Sequence, residues 1–119
     1  MAEAQTTRRY DLEERTFKFA QRVIGFVNKL PKSLTNMEMG RQLVKAAGSV
    51  GANYIEANES LSRKDFVMRI KICRKEAKES CYWLRLVNCN KELGKEQASL
   101  IQESSELMKI FGAILQKSI

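Results

Sequence analysis

The sequence predicts an all-α protein, an antiparallel up-down-up-down four-helix bundle, and three observations carry that prediction. Apolar residues recur every three or four positions through four separate stretches, the period of one face of a helix. One proline and six glycines in 119 residues leave too few turn formers for an all-β chain. Three of the four stretches also open on a Ser, Thr or Asp with an acidic residue three positions later, the spacing of a reciprocal N-terminal cap. A chain of this length builds a single core, because separate domains usually need well over about 200 residues.

The first helix is expected from about Leu12 to Leu30, with Asp11 as its cap, Glu14 three residues on, and Pro31 ending it. Phe19, Val23, Phe26 and Leu30 form its core stripe, and Phe17, Ala20, Ile24 and Val27 form a second stripe beside it. The second helix is expected from Asn36 to Leu61, opened by Thr35 with Glu38. It places Met39, Leu43, Ala46, Ala47, Val50, Tyr54, Ala57 and Leu61 on one line. Gly48 and Gly51 lie beside that line. Each costs about 1 kcal/mol inside a helix, which points to close approach of a neighbouring backbone; a break into a loop at Gly48-Ser49 is the alternative.

The third helix begins after Ser62, with Asp65 completing its cap, and runs to about Asn90, where Gly94 stops it. Phe66, Ile70, Cys73, Ala77, Leu84 and Val87 line its core face. The fourth, about Lys95 to Lys117, aligns Leu100, Ser104, Leu107, Phe111 and Ile114, flanked by Ile101, Met108 and Leu115. Short connections make consecutive helices antiparallel neighbours. Residues 1–10 are expected to be a flexible tail and residues 11–119 the bundle domain.

Charge is unevenly distributed. The chain carries a formal +7, and the stretch 63–92 alone holds nine basic residues against four acidic ones, five of the seven net charges. On a helical wheel Lys64, Lys71, Arg74, Lys75, Lys78 and Arg85 gather away from the core stripe into a ribbon suited to a phosphate backbone. A solvated outer face, or a surface for an acidic protein, would look much the same. Only Tyr82 offers an aromatic ring near the ribbon, so contacts to RNA or DNA are expected to be backbone-directed and sensitive to salt. Between ribbon and core lies a third sector of the same helix, where Met68, Ile72, Trp83 and Leu86 project with Glu76 and Glu79. So much apolar surface on the flank of a solvated helix points to association between copies, with the two glutamates facing basic groups of a neighbour.

Several chemistries are excluded or disfavoured. With no histidine in the chain there is no imidazole base, Ser-His-Asp arrangement or His-ligated zinc. Glu56/Glu59 and Glu76/Glu79 lack the histidines of a bundle di-iron site, and a carboxylate nuclease site is a remote alternative. The stretch GSVGANYIEAN lacks the Gly-Lys-Ser/Thr ending of a phosphate-binding loop. Asn53 within it is suited to a cap or a hydrogen bond across the bundle, or to a ligand contact. Cys73, Cys81 and Cys89 are spaced too widely along one helix to pair with one another or share a metal, and read as reduced thiols of an intracellular chain or as an intermolecular contact. No apolar run approaches the roughly 18 residues of a membrane span, and the start lacks a signal-peptide centre. The expectation is a cytoplasmic protein without cofactor or metal, and not an enzyme.

The stretch Gly48 to Leu86, GSVGANYIEANESLSRKDFVMRIKICRKEAKESCYWLRL, resembles the bacterial four helix bundle proteins, also called 23S rRNA intervening-sequence proteins. Ser49-Val50-Gly51-Ala52-Asn53 followed by Ile55-Glu56, and the basic run Lys71 to Ala77, carry the resemblance; the flanking helices agree in order and length from about Tyr10 to Ser118. The resemblance implies a homopentameric barrel of four-helix bundles. It also implies kinship with the accessory variability determinant of diversity-generating retroelements, which assists a reverse transcriptase. Many members have a glycine soon after the Ile-x-Glu element, whereas Asn58 stands in that region here. The family offers no catalytic residues to carry over.

Overall fold

A computed structural model describes residues 2–119 of the chain, with side chains from Asp11 onward. Four α-helices follow one another, α1 (Ala2–Asn28), α2 (Leu34–Asn58), α3 (Arg63–Leu86) and α4 (Gly94–Ser118), with a single 3-10 turn at Lys91–Leu93. They pack as a bundle in which α3 lies between α2 and α4 while α1 closes the side opposite α3. The connections are short, as an antiparallel path requires.

The core follows the periodicity closely. Phe19, Val23, Phe26, Leu43, Val50, Ile70, Cys73, Ala77, Leu84, Leu100, Leu107 and Phe111 are buried, contributed by all four helices. Tyr54 packs against Phe111 with ring centroids 5.8 Å apart and planes tilted by 56°. Three buried hydroxyls answer to their own helices: Thr16 donates to the Glu13 carbonyl, Ser80 to that of Glu76, and Ser104 to that of Ile101. A hydroxyl satisfied this way lets a helix face a greasy core without an orphaned donor.

Helix ends depart from expectation, each for a local reason. Helix α1 already runs from Ala2, so Asp11 sits inside it and caps nothing; the tail expected over residues 1–10 lies outside the described side chains. Its last regular residue is Asn28, because Leu30 precedes Pro31 and is pushed out of the helical region; Lys29 and Leu30 instead donate three residues back, to Phe26 and Val27. The cap of α2 is Ser33 and not Thr35: its hydroxyl accepts from the Asn36 amide at 3.1 Å. That helix ends at Asn58, which leaves Leu61 outside the stripe and fully exposed. Ser62 does cap α3, accepting from Asp65.

Helix α3 stops at Leu86, short of Asn90, and Gly94 starts α4 instead of ending α3. Val87, Asn88, Cys89 and Asn90 are poor helix formers, and partners elsewhere outbid the helix for their backbone. The Gln97 amide donates to the Leu84 carbonyl at 2.9 Å, and the buried Asn36 side chain holds both the N–H and the C=O of Asn88. α2 runs without interruption through Gly48-Ser49. Of the two glycines there, only Gly51 is closely approached: a Cβ on it would lie 3.0 Å from Thr16 Oγ1. Gly48 faces open space, and the second close approach falls at Gly40, against Val27.

Candidate nucleic-acid interface

One unbroken helix presents the ribbon. Lys64, Lys71, Arg74, Lys75, Lys78 and Arg85 are all exposed on α3, and none forms a salt bridge with a described residue. Other basic residues of α3 serve the fold: Arg69 donates to Asn53 Oδ1 at 3.0 Å, and Arg63 donates to the Ser118 carbonyl at 2.8 Å. Asn53 thus accepts a bond across the bundle from α3, while its amide donates within α2, to the Ser49 carbonyl. The cations without a salt bridge are thus the outward ones, and of these Lys75 is near enough to Glu76 to act on its carboxylate. A shallow cleft of 780 Å³ opens at the start of α3, lined by Ser62, Arg63, Lys64, Asp65, Val67, Met68 and Lys71. Tyr82 is exposed and meets Trp83 edge-on, with centroids 5.1 Å apart.

The third sector of α3 is where the spacing put it. Met68 and Leu86 are 47% and 48% exposed, Ile72, Glu76 and Trp83 are half-buried, and Glu79 is exposed. Trp83 lies against the core edge without being covered. The bond from Arg69 to Asn53 fixes this sector on the side of α3 that α2 flanks.

Other carboxylates are already committed. Arg15 makes a two-pronged contact with Glu103, both bonds 2.8 Å, and reaches Glu106 at 2.9 Å; these acids hold its guanidinium firmly protonated. Arg22 binds Glu96 and the Ser99 hydroxyl. Among the described residues no three His, Cys, Asp or Glu side chains cluster as metal ligands, and no helix is long and apolar enough to cross a membrane.

The model of one family, 23S rRNA-intervening sequence protein, matches residues 8–113, a span that reaches into all four helices. The chain belongs to this family. A similar solved structure is the crystal structure of a protein with unknown function from the S23 ribosomal protein family of Bacteroides thetaiotaomicron; it shares 29% identity over 87% of this chain and 96% of its own, with a TM-score of 0.72. No curated protein matches. The family name points to an RNA-related role, and neither finding indicates an enzymatic family.

Within this intervening-sequence family member, Glu76 and Glu79 stand one turn apart with no salt bridge to a described residue. Partial burial and the neighbouring Glu79 carboxylate raise the affinity of Glu76 for a proton, while Lys75 and Lys45 oppose them weakly. Cys73 is buried, and burial pushes its thiol up to about 12, which keeps it protonated and inert. Cys81 and Cys89 are free and half-buried. Because α3 ends at Leu86, Cys89 lies beyond the helix, where its thiol contacts Gln97 Oε1 at 3.1 Å. The Asn58 that stands in the glycine region of many relatives donates to Glu13 at 2.9 Å, tying α2 to α1.

Proposed function

We propose that this protein is a non-enzymatic, homo-oligomeric adaptor that binds structured RNA along the backbone through the basic ribbon of α3. The observation that carries the reading is the set of six exposed cations, Lys64, Lys71, Arg74, Lys75, Lys78 and Arg85, none of them in a salt bridge with a described residue. On one chain such a ribbon gives a weak, sequence-tolerant grip. Repeating it around an assembly, a pentamer by the family resemblance, multiplies the grip by effective concentration. Met68, Ile72, Glu76, Glu79, Trp83 and Leu86 supply the contact between copies in this reading. RNA is preferred over DNA on the strength of the family name. The resemblance to retroelement accessory proteins adds a reverse transcriptase as the protein that meets the same RNA.

Binding measured on a structured RNA and on duplex DNA over a salt series tests the proposal. Affinity is expected to fall steeply with salt and to drop at least tenfold on reversing Lys71 and Lys78 to Glu. Affinity indifferent to both overturns it. The second reading, a scaffold for proteins alone with a merely solvated ribbon, rests on the same exposed apolar sector; a pull-down whose partners survive nuclease treatment favours it.

A further inference from the structure

Two aromatic side chains among the described residues stand out in solvent, Phe17 at 59% and Tyr82 at 57% exposed. Phe17 belongs to an apolar stripe of α1, whereas Tyr82 lies on α3 amid the basic ribbon. Lys75 and Lys78 stand seven and four residues before it and Arg85 three after, which on a helix are the positions that share its patch of surface. Glu79 is the one acidic residue at those spacings.

Tyr82 is also braced. Its ring meets that of Trp83 edge-on, with planes 76° apart and centroids 5.1 Å apart, and Trp83 is half-buried and packed against the core. A ring that leans on an anchored neighbour has given up part of its freedom before any ligand arrives, so less is lost on binding. An edge-on contact engages at most one face of a ring and leaves the other open.

We infer that Tyr82 is a stacking platform for an unpaired base, so that the ribbon grips RNA at a single-stranded loop or end, with Lys78 and Arg85 taking the phosphates on either side of the stacked nucleotide. The inference rests on the RNA reading above and adds which form of RNA is taken. In an A-form duplex the bases already stack on one another and the major groove is too deep and narrow for side chains to enter. Levering a paired base onto the ring would forfeit its pairing and its stacking, and an unpaired base has neither to give up. Lys78 and Arg85 are seven residues apart, two turns or about 10.5 Å along the helix axis, with Tyr82 between them. A strand laid along α3 therefore meets cation, ring and cation in turn. Because every base has a π-face, the ring selects for the unpaired state and tolerates any sequence.

Two RNAs with equal numbers of phosphates test the platform, a hairpin with an unpaired loop and a fully paired duplex, with each protein variant checked for folding by circular dichroism. Tyr82→Ala is expected to weaken hairpin binding about tenfold and to leave duplex binding within about twofold. Tyr82→Leu, which keeps bulk without a π-face, is expected to follow Tyr82→Ala, and Tyr82→Phe, which keeps the ring, to bind as the wild type does. Stacking carries no charge, so the slope of hairpin affinity against salt is expected to be the same in Tyr82→Ala as in the wild type. Equal losses on the two RNAs, no loss on either, a Tyr82→Phe variant as weak as Tyr82→Ala, or a changed slope overturns the platform and leaves the ribbon in place. A wild-type protein that holds neither RNA overturns the ribbon reading itself, and the platform with it.

Discussion

Asn36 is buried, and each side-chain hydrogen bond it makes goes to a connection: its amide donates to the Pro31 carbonyl at 2.9 Å and the Asn88 carbonyl at 2.7 Å, and its oxygen accepts from the Asn88 amide at 3.0 Å. Asn36→Ala removes three hydrogen bonds to the backbone of the two connections and is expected to cost about 2–4 kcal/mol in urea unfolding. Periodicity could not find this residue, because a polar side chain between two helices leaves no apolar signature. The glycines divide for a similar reason. In Gly51→Ala the new methyl meets Thr16, with the Thr16 backbone carbon 3.7 Å behind it, and a loss of about 1–3 kcal/mol is expected. Gly48→Ala meets nothing in its own chain, and a gain of about 0.5–1 kcal/mol is expected for the isolated chain. Thermal melts of both variants decide whether the two glycines separate in sign. Glu76 carries a pH signature. Its affinity for a proton is raised in the folded chain, so the folded state binds more protons between the unfolded and folded values, and stability falls as pH rises through that window. Glu76→Gln is expected to stabilise the isolated chain at neutral pH, with the advantage vanishing below the ordinary carboxylate range; an advantage constant with pH rules this out.

Helix α1 joins α4 along a polar edge above the core. Arg15 grips Glu103 with two bonds, and Arg22 grips Glu96. The first pair is only partly exposed, so screening weakens it less than a surface pair. Arg15→Ala is expected to cost about 1–2 kcal/mol, and the wild-type advantage should shrink as salt is raised to molar levels; a salt-independent difference would instead point to lost packing of the arginine stem. Element existence was legible in the sequence because four apolar stripes keep one phase over many turns. Element ends were less so. Ser62 announces α3 because Asp65 accompanies it, whereas Thr35-Glu38 has the same spacing and was passed over for Ser33. The spacing is a property of two residues, but the cap is chosen by where Pro31 delivers the chain. The early end of α3 likewise depends on Gln97 and Asn36, which reach it from other elements.

At the scale of the whole molecule, the basic ribbon and the apolar sector of α3 occupy different flanks of one rod, 47 Å long and 23 by 19 Å across. They can therefore act together without competing. Each phosphate contact releases condensed counterions, so the slope of log affinity against log salt counts contacts. Lys71→Gln with Lys78→Gln is expected to lower that slope by about 2 for each copy engaged. A slope that instead stays fixed while affinity drops assigns these lysines to some other task. The ribbon was readable in advance because its residues are consecutive turns of one helix and need no other element to bring them together. The α1–α2 seam was only half visible: the second α1 stripe stood out, but its α2 partners were fixed only once Gly40 and Gly51 had set the two helices side by side.

By itself the sequence determined the helices, their core faces, the exclusion of imidazole chemistry and the concentration of positive charge on α3, since all of these are set by the order of residues within a single helical period. Tertiary structure alone decided which basic residues remain free, which glycine is crowded, where α3 stops, and which apolar residues are left uncovered. Each of those depends on distances between residues far apart in the chain, and a periodicity reports direction around one helix without saying what stands opposite.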